Sequence, residues 1–192
     1  MQELVERIRA EGVYVGDGIV KLDGFLNHQV DPELTGRMGQ AFVRQFDQLG
    51  VAAPDKIITA EVSGIPAALA TAAIYGVPVL YARKHQSSVM TDVYYFAQTK
   101  SRTKGIEVNL LISKKYLDDS HRVLIIDDFL ATGSTIGALT SLIDASGARL
   151  LGIGCVIEKP FENGRDTLKH LDVPVVSLAK IEVNNDELRV YD

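Results

Sequence analysis

The stretch VLIIDDFLATGSTIGAL, residues 123–139, decides how the rest of the chain is read. Val123, Leu124, Ile125 and Ile126 are four consecutive branched apolar residues, the composition of a strand buried on both faces of a sheet. Two acids, Asp127 and Asp128, follow. Next comes a small-residue loop containing Ala131, Thr132, Gly133, Ser134 and Thr135, and then apolar residues recur at helical spacing in Ile136, Leu139, Leu142 and Ile143. Gly147 stands where glycine commonly follows a last helical turn. The order is strand, acidic tip, loop, helix N-terminus.

That order has a chemistry. A helix N-terminus presents unpaired N–H groups and a partial positive charge, so it suits a phosphate. Small residues let the backbone approach the anion, and Thr132, Ser134 and Thr135 add hydroxyl donors. Two carboxylates just ahead of the loop suit something hydroxylated or metal-bound attached to that phosphate, and a sugar phosphate meets both conditions. Two other readings are weighed. A buried strand with a charged tip explains the acids but not the Thr-Gly-Ser-Thr run that follows them. A nucleotide triphosphatase explains the Asp-Asp strand end, but it requires G-x-x-x-x-G-K-[ST], which the chain lacks. G-x-G-x-x-G is absent too: Gly152 and Gly154 lie inside an apolar run without a third glycine.

Size and composition narrow the field. The 192 residues make one ordinary domain, with 46% hydrophobic residues and no low-complexity tract or internal repeat. A net charge of −5 argues against a general nucleic-acid binder. No apolar run reaches membrane-spanning length. The amphipathic, charged start MQELVERIRAEG does not read as a secretory signal. The single cysteine, Cys155, has neither a disulfide partner nor nearby metal ligands, and reads as a buried inert thiol. These features suit the cytoplasm, with no nucleic-acid or membrane partner.

Read in order, residues 1–10 form a short helix with Leu4, Val5 and Ile8 on one face, and residues 13–22 have strand-like spacing broken by Gly16 and Gly18. In FLNHQVDP, residues 25–32, Phe25 and Leu26 read as core plugs and Asn27 as a turn residue or a ligand donor; spacing alone favours the turn. Asp31 and Pro32 cap a helix that carries Met38, Ala41, Phe42, Phe46 and Leu49 on one stripe and stops at Gly50. Residues 56–60 are a second buried strand, ending in a loop with Ser63 and Gly64 at the start of an apolar helix, a second potential anion site. Ser63 is no nucleophile elbow, because Glu61 stands where that motif needs glycine. A third strand, 77–82, runs into Arg83, Lys84 and His85, a basic cluster at the strand end where open α/β sheets bind ligands or, equally, solvated surface charge. Strands at 93–98 and 106–112 flank a basic tip with Lys100, Arg102 and Lys104, readable as a charged edge or as a flap that closes over a polyanion. Residues 150–158 form the strand beside 123–126, so Lys159 points toward the same crevice, with Phe161 as an aromatic that can stack on a base. A short helix at 164–171 and strands at 173–178 and 181–183 complete the chain. The succession implies a mainly parallel sheet with helices on both faces.

VLIIDDFLATGST resembles the 5-phospho-α-D-ribose 1-diphosphate (PRPP) signature of the type I phosphoribosyltransferases. The resemblance implies an α/β fold, a mainly parallel twisted sheet flanked by helices, with a small N-terminal hood and a flexible hairpin loop. It divides the chain into a hood segment, 1–36, a core, 37–160, and a C-terminal segment completing both, 161–192. AEGVYV, VKLDGFLNHQVDP, LYARKH and GIGCVIEKPFENGRD extend the resemblance over nearly the whole chain, and FLNHQ and IEKPF bring it nearest to the bacterial members that act on xanthine. The implied roles follow residue by residue. Asp127 and Asp128 are catalytic, and residues 131–135 hold the 5′-phosphate. Ser63, Gly64, Arg83 and Lys84 meet the pyrophosphate, with a cis peptide expected at Val62–Ser63. Val20, Asn27 and Lys159 surround xanthine; relatives carry a larger aliphatic at the position of Val20, and Thr132 also varies. The resemblance further implies Mg²⁺ bound with PRPP rather than by direct protein ligands, and a homodimer. The family's flap often carries a Ser-Tyr pair, whereas this chain has Tyr94 and Tyr95 in that hairpin. A purine-responsive regulator built on the same domain is the competing class; such regulators add a winged-helix domain and basic surfaces. Members acting on hypoxanthine, guanine or adenine are the third reading.

Overall fold

The computed structural model describes residues 1–84, 93–100, 107–184 and 187–192. Its centre is a six-stranded sheet of order β10-β9-β8-β7-β3-β4. The strands are β3 (Lys56–Ala60), β4 (Val79–Ala82), β7 (Arg122–Leu130), β8 (Arg149–Glu158), β9 (Val175–Asn184) and β10 (Glu187–Tyr191), and all neighbours are parallel except β9 and β10. Along β7 the residues alternate between two cores. Leu124 and Ile126 pack with α2 (Pro32–Gln48), α3 (Ile65–Tyr75) and α1 (Gln2–Glu11), while Val123 and Ile125 pack with α4 (Ser134–Ser146). Both faces are therefore covered, which is why the strand reads as an unbroken apolar run.

Glycines in β8 make room for this packing. A Cβ at Gly152 would stand 2.8 Å from the Phe46 ring and one at Gly154 2.8 Å from that of Phe42, so the two glycines let α2 settle on the sheet. Helix α2 starts as its sequence indicates: the Asp31 carboxylate accepts from the amides of Glu33 and Leu34, with Pro32 in the first turn. Helix α4 ends at Gly147, whose φ of 77° is the left-handed conformation of a helix stop.

The hood stands over the C-terminal ends of the parallel strands. It comprises a hairpin of β1 (Val13–Tyr14) and β2 (Val20–Lys21) and a π-helical turn, Asp23–Asn27. Phe25 and Leu26 are buried in the first core, as the spacing indicated. On the other side of the sheet, the antiparallel hairpin of β5 (Tyr94–Lys100) and β6 (Glu107–Ser113) packs on α4 and meets β4 through a bridge between Arg83 and Leu111.

Three expectations are corrected. The two short strands at 173–178 and 181–183 are one strand, β9, because Lys180 continues the ladder with its ammonium over the Tyr191 ring. The helix at 164–171 is a short turn α5 (Gly164–Thr167) followed by a 3₁₀ turn. The cis peptide lies at Glu61–Val62, one bond earlier than the analogy put it, because β3 ends at Ala60 and the reversal into α3 begins at once. His85, Arg102, Lys104 and the side chain of Lys100 lie outside the described residues. Among the described residues, no helix is long and apolar enough to cross a membrane.

Candidate active site

A cavity of about 480 Å³ opens between the hood and the C-terminal ends of β3 and β7. The hood contributes Val20, Asp23 and Asn27, and β7 with its following loop contributes Asp127, Asp128, Phe129 and residues 131–135. Glu61, Val62, Ser63, Lys84 and Lys159 complete most of the wall. Open α/β sheets gather ligand-binding groups at this end of their strands.

The acid pair sits inside β7 rather than beyond it. The strand continues to Leu130 because β8 runs alongside, and the Lys159 amide donates to the Leu130 carbonyl at 2.8 Å. Asp127 is 3% exposed and accepts from the Thr59 hydroxyl at 3.3 Å. Asp128 is half-buried and accepts from the Phe129 amide at 2.9 Å. Burial pushes the Asp127 carboxyl well above the usual range, and repulsion from Asp128 adds to the effect. Burial also pushes Asp128 up, against the pull of its amide contacts, Lys84 and Lys159. The pair is thus short of positive charge, a state that a bound cation or a developing positive centre relieves. Cys155, wholly buried beside the acids on β8, has its thiol held far up by burial and their charge, which leaves it inert.

The loop reaches its shape through Gly133, which has a φ of 83° and caps α4. The Thr132 and Ser134 hydroxyls lie 3.1 Å apart, both facing solvent. The strand end, the left-handed glycine and the α4 N-terminus together form a concave rim of amides and hydroxyls suited to a phosphate.

On the hood side, Lys159 is 7% exposed. It donates to the Gly18 carbonyl at 2.8 Å, stands 3.8 Å from the Glu162 carboxylate and lies 4.9 Å from the centre of the Phe129 ring. The Gly18 carbonyl belongs to a turn in which Gly16, Asp17 and Gly18 all have positive φ. The Asn27 amide donates to Asp128 at 3.4 Å, a long bond that ties the hood to the acid pair.

The proposed site residues fall into two groups. Val20, Asn27, Ser63, Lys84, Asp127, Asp128, residues 131–135 and Lys159 share the cavity wall. Arg83 and Gly64 stand apart from it. The Arg83 guanidinium lies 3.9 Å from Glu61, and Gly64 sits behind Asp127, where a Cβ would come within 2.2 Å of the carboxylate. Phe161 is also elsewhere, 41% exposed; the aromatic in the cavity wall is Phe129. Sequence reasoning passed over Phe129, Thr59 and Glu61. Position was the available signal for Phe129, between the acids and the loop, and for Glu61, at the end of the second buried strand. Thr59 carried no signal in the sequence.

The model of the phosphoribosyl transferase domain matches residues 42–189. A xanthine phosphoribosyltransferase of Deinococcus deserti is 52% identical over 97% of this chain and 95% of its own length. One of Latilactobacillus sakei is 45% identical over 94% and 91%. Among solved structures, adenine phosphoribosyltransferase of Saccharomyces cerevisiae superposes with a TM-score of 0.74 at 22% identity, covering 93% of this chain and 99% of that one. The Trypanosoma brucei adenine enzyme gives 0.76 at 20%, covering 92% and 79%. At such identity the structural likeness speaks for the fold.

Proposed function

This chain belongs to the phosphoribosyl transferase family, and from that premise we propose that it transfers the phosphoribosyl group of PRPP to xanthine, giving xanthosine 5′-monophosphate and diphosphate. The similarity to xanthine phosphoribosyltransferases over nearly the full chain supports the substrate. The observation that carries the mechanism is a single cavity whose wall holds Lys159, Asn27 and Val20 together with the acid pair and residues 131–135.

In this reading the 5′-phosphate rests on residues 131–135, and the ribose hydroxyls face Asp127 and Asp128. Ser63 and Lys84, with their chain neighbours Gly64 and Arg83 outside the cavity wall, serve the diphosphate. The bond from ribose carbon one to the diphosphate oxygen breaks, and that oxygen keeps the electron pair. A purine nitrogen forms the new bond to the same carbon, and the base loses a proton. Positive charge developing on the ribose ring is favoured by acid groups held beforehand by Thr59, Asn27 and the Phe129 amide. No covalent enzyme intermediate is required, in keeping with the lack of a nucleophile motif.

Selectivity follows from donors. Lys159 is a donor without acceptor capacity in the cavity wall, which matches the oxo group on carbon six. The Asn27 amide can donate to the oxo group on carbon two, where guanine carries an amino donor. Adenine mismatches Lys159. A site that donates to an oxo group discriminates strongly against a base that offers a donor there.

Among the described residues, no three acid, histidine or cysteine side chains converge to hold an ion by themselves. Asp127 and Asp128, with Glu61 in the same wall, fit a divalent cation that takes most of its ligands from substrate and water, the habit of magnesium. When bound, Mg²⁺ supplies charge neutralisation of the leaving diphosphate. The protein acts in the cytoplasm as a homodimer on the family pattern. Incubating it with PRPP and xanthine, hypoxanthine, guanine or adenine in parallel tests the reading. Preferred formation of xanthosine monophosphate supports it; binding of PRPP without turnover of any base favours the regulator instead.

A further inference from the structure

Behind the phosphate loop lies a second layer that the reaction does not touch. The Glu158 side chain at the end of β8 is 4% exposed, and both its oxygens are engaged. Arg165 grips it as a fork, Nε to Oε1 at 2.8 Å and Nη2 to Oε2 at 2.6 Å, and the Ser177 hydroxyl donates to Oε2 at 2.7 Å. The third guanidinium nitrogen donates to the Val175 carbonyl at 2.8 Å. Burial works to raise the Glu158 carboxyl, yet the Arg165 and Ser177 hydrogen bonds hold it below the usual range, so the pair stays ionised. Charged pairs of this kind add little net stability; a planar fork on a carboxylate supplies fixed geometry.

The geometry is transmitted to the loop through Gly164 and Thr167. A Cβ on Gly164 would stand 2.2 Å from the Ala131 carbonyl oxygen and 2.9 Å from the Gly133 nitrogen. Gly133, in turn, would drive a Cβ to 2.4 Å from the Thr167 hydroxyl. That hydroxyl donates to Gly164 at 2.7 Å and reaches the Thr132 carbonyl at 3.3 Å. Two glycines on separate segments thus meet back to back, and the far side of one of them is the phosphate rim.

We propose that Arg165 and Gly164 are positioning residues for phosphoribosyl binding: the Arg165–Glu158 fork presses residues 164–167 against the backs of the 131–133 peptides and so sets the curvature of the rim. The inference rests on reading residues 131–135 as the 5′-phosphate cradle. The ligand it concerns is the ribose 5-phosphate part of the substrate, not the base.

The test is calorimetric titration with ribose 5-phosphate, alongside steady-state kinetics, for the wild type, Gly164→Ala and Arg165→Lys. Gly164 has no positive φ, so alanine there disturbs the contact and not the backbone preference. Gly164→Ala is expected to weaken ribose 5-phosphate binding and raise KM for PRPP about tenfold or more, since ångström-scale misplacement is costly, with KM for xanthine changed less than about threefold. Arg165→Lys, which keeps the charge and loses the fork, moves the same quantities in the same direction by about threefold or more. It carries the test if Gly164→Ala does not fold. If the folded variants bind ribose 5-phosphate like a binding-competent wild type and only melt earlier, the two residues are structural and the proposal is overturned. If the wild type itself does not bind ribose 5-phosphate, the cradle reading fails first and the proposal falls with it.

Discussion

Gly64→Ala isolates how closely the acid pair depends on its surroundings. Gly64 caps α3 with φ −73° and ψ −21°, ordinary right-handed helical values, so alanine is compatible with the backbone. By itself that exchange would be neutral or slightly stabilising. The space decides otherwise. The new Cβ would stand 2.2 Å from Asp127 Oδ1 and 2.3 Å from Thr59 Oγ1, against 3.4 Å for ordinary contact. The difference, 3.4 − 2.2, requires a movement of about 1.2 Å, shared among Asp127, its partner Thr59 and the turn after β3. Overpacking of this kind costs about 1–3 kcal/mol of stability. A reacting group misplaced by about 1 Å loses on the order of 10² in rate, or about 2.7 kcal/mol of barrier. The assay is steady-state formation of xanthosine monophosphate, paired with thermal melting to confirm a folded variant. A kcat/KM reduced about 100-fold in a folded protein is expected. A folded Gly64→Ala enzyme within about threefold of the wild type would show that Asp127 tolerates displacement, and would refute the reasoning that its fixed position matters.

Other perturbations follow from the same geometry. The Asp127 carboxyl is raised by burial and by Asp128 from 3.8 in the unfolded chain, so between 3.8 and its raised folded value the folded protein holds the extra proton and ligand-free stability falls as pH rises. Asp127→Asn should therefore raise the melting temperature at pH 7 and flatten its pH dependence, while lowering kcat by about 10² or more; an unchanged melting curve at pH 7 counts against the charge-deficient pair. Lys159→Met keeps a long apolar stem but loses the donor and the tie to Gly18, and kcat/KM for xanthine should fall about 10- to 150-fold, with KM for PRPP nearly constant in kinetics at saturating co-substrate. Gly36 lies inside α2 with nothing within 4 Å of a would-be Cβ, so Gly36→Ala should stabilise the helix by about 1 kcal/mol, read as about 2–4 °C in melting temperature.

Much of the fold was legible because local signals agreed with one another. Val123 to Ile126, the Asp31–Pro32 cap and Gly147 each announced an element, and each stands where its own chemistry put it. Lys180 broke an apolar run in one dimension and so hid the continuity of β9; in the sheet its stem lies along the ladder and its ammonium rests on Tyr191. In the site, the acids and the loop were visible because adjacent residues carry the pattern. The contacts that join distant segments were not: Thr59 to Asp127, Lys159 to Gly18, and Gly164 against Ala131 depend on strand neighbours and on where the hood closes. Phe161 read as a stacking aromatic because it lies two residues after Lys159, yet it sits in a 3₁₀ turn, Pro160–Glu162, and is 41% exposed outside the cavity wall.

A crystal structure of the protein with ribose 5-phosphate or PRPP tests the central claim most directly. The 5′-phosphate is expected on the amides and hydroxyls of residues 131–135, with the ribose hydroxyls against Asp127 and Asp128. A well-ordered sugar phosphate bound elsewhere, with that rim filled only by solvent, would contradict it.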